Sequence, residues 1–209
     1  RLVRDFAPGP ASSNPNVIGP IGQRFIVETM TPNFEAQIWS VADDGSAVRL
    51  PIDGYDGWFS GRFKAVGTIG GLMALDSDSE TSLWVTDGTA AGTKALTDDI
   101  AFPLREYREG FCSLGQRAVL FGDDRAGGRH ALVATDGTAA GSTVLARLDG
   151  YVAYRAMPAV ALNGICYLQL QAMDGWHLWA SDGSVAGTRE IASGVGFDIY
   201  GLATMGGNL

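Results

Sequence analysis

A short string recurs along the chain and constrains the fold more than any other feature. It reads LWVTDGTAAGTKAL at 83–96, ALVATDGTAAGSTVL at 131–145 and LWASDGSVAGTREI at 178–191, with a diverged copy, IWSVADDGSAVRLPI, at 38–52. The Asp residues of its Asp-Gly turns are 43, 49 and 46 residues apart, and a period of about 40 to 50 residues is typical of propeller blades. The chain is therefore expected to be built from one repeated unit.

Each unit divides into short strand-like runs separated by turn residues. In the third unit these runs are FCSL, AVLFG, ALVATD and TVLARL, and in the fourth an Asn163-Gly164 pair provides a strong hairpin signal. Runs such as 72–75 and 165–168 are apolar at successive positions, so both faces of these strands are expected to be covered. We predict an all-β fold, a β-propeller of about four-stranded antiparallel blades, with four recognisable blades and a partial fifth.

The predicted propeller domain spans the whole chain, 1–209, because the repeat is not interrupted. Its blades are expected at 17–52, 58–100, 110–148 and 156–193. Residues 1–9 look like the last strand of a preceding or closing blade, and 199–209 like the start of a further blade. We therefore expect the sequence to be part of a longer protein.

Charge and hydropathy exclude several classes of partner. The chain has 15 basic and 23 acidic residues, a net charge of −8, and thus lacks the basic footprint of a protein that binds nucleic acid or an anionic membrane surface. No apolar run approaches the roughly 20 residues needed to span a bilayer as a helix. The expected partners are therefore proteins, with glycans as an alternative.

The recurring Asp-Gly turn is interpreted as structural and not catalytic. An Asp before Gly accepts hydrogen bonds from N–H groups of the turn, the Gly adopts a positive φ, and the following Thr or Ser adds a further local hydrogen bond. Turn chemistry of this kind needs no substrate. The predicted structural residues are Asp44, Asp87, Gly88, Thr89, Asp136, Gly137, Thr138, Asp182, Gly183 and Ser184.

These strings also carry a resemblance. LWVTDGTAAGT, LVATDGTAAGS and LWASDGSVAGT are similar to the bacterial ELWxxDGT repeat family, and RLVRDFAPGPASSNP at 1–15 resembles the stretch that follows the motif in that family. The resemblance implies tandem propeller units in large, generally secreted or surface proteins, with no established enzymatic activity. The family Glu is replaced by Gln37, Ser82, Ala131 and His177, so it is not expected to be an indispensable ligand here.

One apolar position and the two cysteines bear on packing. Trp39, Trp84 and Trp179 share a repeat position that Val133 takes in the third unit, which favours packing between blades over a platform for sugars. Cys112 and Cys166 lie within apolar runs at positions that are not equivalent. We expect two buried free thiols, with a disulfide as the alternative.

Other candidate sites are weaker. The loop residues Asp76, Asp78 and Glu80 could ligate Ca²⁺, although a solvated acidic turn is the preferred interpretation, and Asp123-Asp124 occupies the matching loop of the next unit. His130 and His177 differ by one position in their repeats, so a shared metal site or triad gains no support. YDGWF at 55–59 and MDGWHLW at 173–179 are expected to pack under loops rather than to contact a ligand.

The sequence thus predicts no catalytic residue and no cofactor. The preferred function is that of a non-catalytic extracytoplasmic propeller, periplasmic, secreted or at the cell surface, which acts as a protein-binding or structural subunit of a larger assembly. A glycan-binding adhesin, with or without Ca²⁺, is the alternative. A sialidase-like glycosidase is remote, because no repeat position gathers the arginines, tyrosine and carboxylates that it would need, for which the candidates are Arg49, Arg62, Arg105, Tyr107, Glu109 and Arg155.

Overall fold

The computed structural model describes residues 5–6, 13–33, 35–52, 62–65, 71–76, 81–96, 100–101, 111–124, 129–149, 151–156 and 159–195. Within these ranges all regular secondary structure is β-strand, and all strand pairs are antiparallel. The predicted all-β class is therefore confirmed. By contacts between Cα atoms the chain divides into two compact units, 1–96 and 97–209.

The first unit contains two four-stranded sheets. The first sheet has the order β1-β2-β3-β4 and is formed by Asn16–Ile21, Arg24–Met30, Ala36–Ala42 and Ala47–Arg49. The second sheet has the order β5-β6-β7-β8 and is formed by Arg62–Ala65, Gly71–Asp76, Thr81–Thr86 and Lys94–Ala95. Consecutive strands are neighbours in both, as the turn residues between the runs predict.

The second unit contains two five-stranded sheets. The third sheet has the path β10-β11-β12-β13, with β9 paired to β11; β9 to β13 are Ile100–Ala101, Phe111–Ser113, Ala118–Asp124, Arg129–Thr135 and Thr143–Arg147. The fourth sheet has the path β14-β16-β17-β18, with β15 paired to β16; β14 to β18 are Tyr151–Ala156, Val160–Leu162, Ile165–Ala172, Gly175–Ser181 and Arg189–Val195.

The hairpin between β15 and β16 shows how the turn residues set the register. Leu162 pairs with Ile165, so the loop is only Asn163-Gly164. Asn163 has φ 52° and Gly164 has φ 77°, and positive φ at both central residues is the requirement of the type I′ turn that Asn-Gly favours. The two-residue loop therefore fixes which face of β16 each side chain occupies.

In each unit, one sheet packs against the next through apolar side chains. In the first unit, Trp84 of β7 lies against a buried cluster in and beside the first sheet, which consists of Ile21, Ile26, Ile38, Leu50 and Ile52. In the second unit, one buried cluster joins the third and fourth sheets; it includes Cys112, Phe121, Leu132, Cys166, Leu168 and Leu170, with Trp179 packed against it. In both units the described core therefore includes contacts between consecutive sheets.

Several details differ from the strand pattern that the repeat predicts. Strand β14 adds a strand to the edge of the fourth sheet and has no counterpart in the predicted units. Ile100 was expected in the second blade, whereas it lies in β9, which pairs with β11 of the third sheet. Asp5 and Phe6 lie outside any strand, whereas the rest of the strand expected at 1–9, and the blade start expected at 199–209, fall outside the described residues. A single propeller domain over 1–209 remains a prediction.

The expectation of free thiols was wrong. Cys112 and Cys166 form a disulfide with Cα atoms 6.0 Å apart, and both side chains are buried, as expected. Cys112 lies on β10 and Cys166 on β16, so the bond joins the third and fourth sheets within their shared core. The two cysteines occupy different repeat positions because they come from facing strands of consecutive sheets.

Loss of this disulfide is expected to destabilise the second unit. The bond closes a loop with a sequence separation of 54, for which loop-closure entropy corresponds to about 4 kcal/mol of stability. The double variant Cys112→Ser with Cys166→Ser should lose stability of that order in urea unfolding. Detection of two free thiols in denatured, unreduced wild-type protein would contradict the bond.

A second prediction concerns Gln169 on β16. Its side chain is 1% exposed, and among the described residues its amide Nε2 and Oε1 are the buried side-chain atoms that lack a hydrogen-bond partner. Removing an unpaired buried amide should remove a desolvation penalty, so Gln169→Met is expected to raise the free energy of unfolding by about 1 kcal/mol. Half-buried Gln171 on the same strand is the matched control. A loss of stability in Gln169→Met alone would mean that the amide has a partner after all.

Candidate functional site

The three well-preserved Asp-Gly turns have the same internal hydrogen bonds. Asp87 Oδ1 accepts from the Thr89 N–H at 2.8 Å and from the Thr89 hydroxyl at 2.7 Å. The corresponding distances are 2.9 and 2.8 Å in the turn of Asp136 and Thr138, and 2.8 and 2.7 Å in that of Asp182 and Ser184. In each turn, one carboxylate oxygen of the Asp therefore accepts two hydrogen bonds, from the N–H and from the hydroxyl of the residue two positions later.

The glycine after each Asp has the backbone conformation that the sequence predicts. Gly88, Gly137 and Gly183 have φ values of 85°, 89° and 83°. This region is unfavourable for residues with a Cβ atom. The second residue of the turn is therefore restricted to glycine by the backbone.

A pair of hydroxyls, the first of them fully buried, flanks each turn, and sequence reasoning missed these pairs. Thr86 Oγ1 accepts from the Gly88 N–H at 3.0 Å and lies 2.6 Å from Thr93 Oγ1. Thr93 Oγ1 donates its proton to the Thr89 carbonyl at 2.6 Å. Because a hydroxyl has one proton, Thr86 must donate to Thr93.

The same hydroxyl relay occurs in the other two turns. Thr135 and Ser142 form one pair at 2.8 Å, and Ser181 and Thr188 form the other at 2.7 Å. The sequence does contain a signal for this relay, because a hydroxyl residue precedes each Asp-Gly and a second one follows the later Gly. The pairs are Thr86 with Thr93, Thr135 with Ser142, and Ser181 with Thr188. Thr86, Thr135 and Ser181 are fully buried, so these bonds satisfy polar groups that would otherwise be unpaired.

The later glycine of each turn is needed for space and not for its φ. A Cβ atom built at Gly92 would overlap the carboxylate of Asp87, and the same overlap occurs between Gly141 and Asp136 and between Gly187 and Asp182. The N–H of Gly92 also donates to Thr89 Oγ1 at 3.0 Å. The carboxylate is thus packed against backbone on one side and hydrogen-bonded on another.

Two of the turns also contact the preceding sheet of their unit. A Cβ atom at Gly88 would lie 3.2 Å from Ser40 Oγ and 3.4 Å from Ile21 Cγ2 of the first sheet. At Gly183 it would lie 3.4 Å from Leu114 Cδ1, and Arg117 Nη1 donates to the Gly183 carbonyl at 2.9 Å. The turn of one sheet therefore lies on the β-hairpin of the sheet before it in both units.

The diverged first copy keeps only part of this arrangement. Asp44 Oδ1 accepts from the Ser46 N–H at 2.8 Å, and Gly45 has φ 90°. Ala42 precedes the turn by two residues and closes it through its N–H, which donates to the Ser46 carbonyl at 2.9 Å. Arg24 donates to Ser40 Oγ at 2.7 Å and to the Ser40 carbonyl at 2.8 Å.

The turn carboxylates are held in the ionised form. Hydrogen bonds from the hydroxyl of the residue two positions later keep the pKa values of Asp87, Asp136 and Asp182 below the ordinary value, and a bond from the Ser46 N–H does the same for Asp44. A carboxylate with a lowered pKa is a poor general acid at neutral pH. The turn therefore has the chemistry of a structural element.

The shared tryptophan position is used for packing in the described residues. Trp84 and Trp179 lie against the buried clusters of their units, and Val133 is 1% exposed. Trp39 donates its indole N–H to Thr29 Oγ1 at 3.0 Å, and its ring lies 5.3 Å from that of Phe6. These contacts support the packing interpretation over a sugar platform.

His177 forms a polar cluster that sequence reasoning did not find. Its Nδ1 lies 2.9 Å from Glu190 Oε1 and its Nε2 lies 2.8 Å from Asp174 Oδ1, and the residue is 6% exposed. His130 lies instead against Phe121, with ring centroids 5.6 Å apart. The two histidines thus belong to different environments, and His177 is a buried histidine with both nitrogens hydrogen-bonded.

Other predicted sites are only partly described. Asp78 and Glu80 lie outside the described residues, as do Arg105, Tyr107, Glu109 and the segment 55–59, and the side chains of Asp76, Arg62, Asp123, Asp124 and Arg155 are not described either. Within the described ranges, no group of three or more His, Cys, Asp or Glu side chains is placed to hold a metal ion. In the segment 173–179, Trp176 is 8% exposed, whereas Met173 at the hairpin tip is 87% exposed.

One open depression lies at the end of the first sheet. It has a volume of about 580 Å³, and its lining includes Pro20, Gln23, Phe25, Asp43 and Asp44. Phe25 is 44% exposed there. An exposed aromatic ring and two carboxylate residues therefore lie together in this depression.

These features define an all-β protein of antiparallel sheets with a recurring, internally hydrogen-bonded Asp-Gly turn. No protein-family model matches the chain, and no curated protein matches it. Among seven similar chains of solved structures are two variants of exo-β-1,3-galactanase from Phanerochaete chrysosporium with β-1,3-galactotriose. Their TM-scores are 0.39 and 0.37 at 15% and 14% identity, and each match covers 85% of this chain.

The chain spans about half the length of these galactanase chains, because each match covers 54% of the galactanase. A likeness at this distance assigns neither an activity nor a ligand to the present chain. As for membranes, the described residues contain no helix that is long and apolar enough to cross one.

The steric role of the later glycine can be tested at Gly141. Gly141→Ala should cost about 1 to 3 kcal/mol, because the added methyl overlaps the Asp136 carboxylate. In the background of Asp136→Ala the same change should cost little, and Ala140→Gly is the control for backbone entropy. Equal costs of Gly141→Ala in the two backgrounds, measured by urea unfolding, would exclude the proposed contact.

The pH dependence of stability tests the hydrogen bonds to the carboxylates. A lowered pKa in the folded state contributes stability above the unfolded pKa of about 3.9, and this contribution is lost as pH falls through the folded value. Wild-type stability should therefore fall below about pH 4. The triple variant of Asp87, Asp136 and Asp182 to Asn keeps each acceptor oxygen and should show a weaker fall. Unchanged acid sensitivity in that variant would refute the assignment.

Proposed function

We propose that this chain is a non-catalytic, extracytoplasmic β-propeller module that serves as a protein-binding or structural subunit of a larger assembly. The observation that carries the proposal is the internal use of the turn's polar groups. The acceptor Oδ1 of each preserved Asp and the hydroxyls around it are hydrogen-bonded within the turn. The most conspicuous motif of the sequence is thus explained by architecture.

The packing within each unit supports the propeller form. In both units the turn of the later sheet lies on the hairpin of the earlier sheet, and a tryptophan of the later sheet packs on a buried apolar cluster. Consecutive blades around an axis make contacts of this repeated kind. The resemblance to the ELWxxDGT repeat family, drawn from the motif alone, is consistent with the same form.

The disulfide supports the extracytoplasmic location. Cys112 and Cys166 are bonded inside the core of the second unit. Structural disulfides form and persist in oxidising compartments and are rare in cytosolic proteins. A secreted, periplasmic or cell-surface location is therefore proposed.

A glycan-binding adhesin is the second candidate. The depression beside Phe25, Asp43 and Asp44 favours it, because an exposed aromatic ring next to carboxylate acceptors suits a sugar ring and its hydroxyls. This site lies apart from the tryptophan position considered in the sequence.

Cross-linking in the native envelope fraction tests the preferred function. We expect cross-links from the full-length protein to one recurrent protein partner, at a constant ratio and at defined surface residues. The same purified protein should not hydrolyse chromogenic glycosides. Turnover that is lost on substitution of a single carboxylate would replace the proposal by an enzymatic function.

Glycan binding is tested at Phe25. An adhesin should bind at least one glycan on an array and lose most of that binding in Phe25→Ala, with exposed Val48→Ala of the same sheet as the matched control. A silent array, or equal binding by the two variants, would remove the depression as a glycan site. Binding that persists in EDTA would remove the calcium form of the adhesin.

A further inference from the structure

The cluster around His177 places one imidazole between two carboxylates. Asp174 lies in the two-residue loop between β16 and β17, and Glu190 lies on β18. His177 itself is on β17, with Nε2 at 2.8 Å from Asp174 Oδ1 and Nδ1 at 2.9 Å from Glu190 Oε1. One side chain therefore links the strand to the hairpin tip on one side and to the neighbouring strand on the other.

The number of protons on the ring decides how many of these links exist. A neutral imidazole has one N–H donor, whereas the protonated ring has two. An ionised carboxylate only accepts hydrogen bonds. Both links are therefore made by the protonated ring, and deprotonation must break one of them.

The exposure of the two carboxylates indicates which link breaks. The Asp174 side chain is 73% exposed and is readily hydrated when its donor is lost, whereas the Glu190 side chain is 34% exposed. The pairing of β17 with β18 is also irregular beside His177, with register shifts between Trp176 and Leu178 and between Leu178 and Trp179. We therefore expect the neutral ring to keep its proton on Nδ1, which preserves the hydrogen bond to Glu190 in the irregular part of β18. The hydrogen bond from Nε2 to Asp174 is then the one that is lost.

We propose that His177 is a proton-operated clamp, which fixes the hairpin tip Met173-Asp174 to β17 when the ring is protonated and releases the tip when the ring loses its proton. Met173 is 87% exposed at this tip. The clamp therefore controls how firmly Met173 is held, and Met173 is the most exposed large apolar side chain in the described part of the chain. Its operation does not depend on the propeller form or on a partner.

The charges of Asp174 and Glu190 both act on the ring of His177. Across β16, His177 is paired with apolar Leu170. On β18 the neighbouring Arg189 acts on Asp182, whose pKa it helps to lower. On the third sheet, His130 lies on the same face as the core residue Leu132, with its ring against Phe121.

The direction of the pKa agrees with the geometry. Burial acts to lower the pKa of His177, but the hydrogen bonds and charges of Asp174 and Glu190 together outweigh burial, and the pKa is raised above its ordinary value. Stability from a raised folded pKa is fully present below the unfolded value of about 6.5 and is lost as pH rises through the folded value. The hairpin tip is thus fixed at pH values below the pKa of His177.

NMR titration of the labelled protein tests the clamp. The ring of His177 should titrate with a midpoint above about 6.5 and carry protons on both nitrogens below it. The amide signals of Met173 and Asp174 should shift with the same midpoint. The variant His130→Gln leaves His177 as the only histidine and assigns the ring signals, and His177→Gln assigns them by loss should His130→Gln fail to fold.

Two further variants test the two links. Asp174→Ala removes the acceptor at the tip, so it should lower the midpoint and abolish the titration of the Met173 amide. Glu190→Gln should also lower the midpoint and flatten that titration, because the neutral ring can then keep its Nε2 proton on Asp174 while Nδ1 accepts from the Gln amide. The clamp is overturned by a ring midpoint at or below about 6.5, by a single ring proton at acidic pH, or by tip amides that do not follow the ring. It is also overturned if the Met173 amide still follows the ring midpoint in Asp174→Ala.

Discussion

One carboxylate oxygen in each preserved turn must be reached by both the N–H and the hydroxyl of the residue two positions later. This requirement explains the rest of the motif. The glycine between them has a positive φ, and the later glycine leaves room for the carboxylate. The first flanking hydroxyl accepts from the N–H of the first glycine and donates to the second hydroxyl, which donates to the carbonyl of the Thr or Ser. The Asp, the two Gly and the hydroxyl residues of the string are therefore explained by contacts within seven positions of the chain.

The local requirement has a consequence for packing. A turn with glycine at its surface presents backbone and not a side chain, so the hairpin of the preceding sheet approaches it closely at Gly88 and at Gly183. In both units, a tryptophan of the later sheet also packs against a buried apolar cluster. Local hydrogen bonding and the burial of apolar surface thus support the same arrangement, which is a property of sequences that fold to one structure.

Much of this was accessible from the sequence because it depends on neighbouring residues. The hairpin at Asn163-Gly164 and the positive φ of Gly88 follow from turn chemistry alone. The buried relay was also encoded locally, in the hydroxyl residues on either side of the turn, but a single hydroxyl in a strand is an uninformative residue. Its partner seven positions away becomes meaningful only when the loop conformation is known.

The remaining features depend on contacts that a single sequence does not reveal. Cys112 and Cys166 are 54 positions apart and occupy different repeat positions, so their pairing follows from how the two sheets face each other. Glu190 reaches His177 only because β18 pairs with β17 through irregular register. Strand β14 joins the fourth sheet although the sequence already offered four strand-like runs for that unit. In each case tertiary structure, and not local propensity, decides the outcome.

The central claim is that the recurring acidic turn is an internal structural element. A high-resolution crystal structure of the protein grown in calcium and soaked with a mixture of oligosaccharides tests it most directly. We expect Oδ1 of Asp87, Asp136 and Asp182 to be occupied by the N–H and hydroxyl of Thr89, Thr138 and Ser184, as they are here. A cation or a sugar hydroxyl bound at these oxygens in place of those donors would contradict the claim.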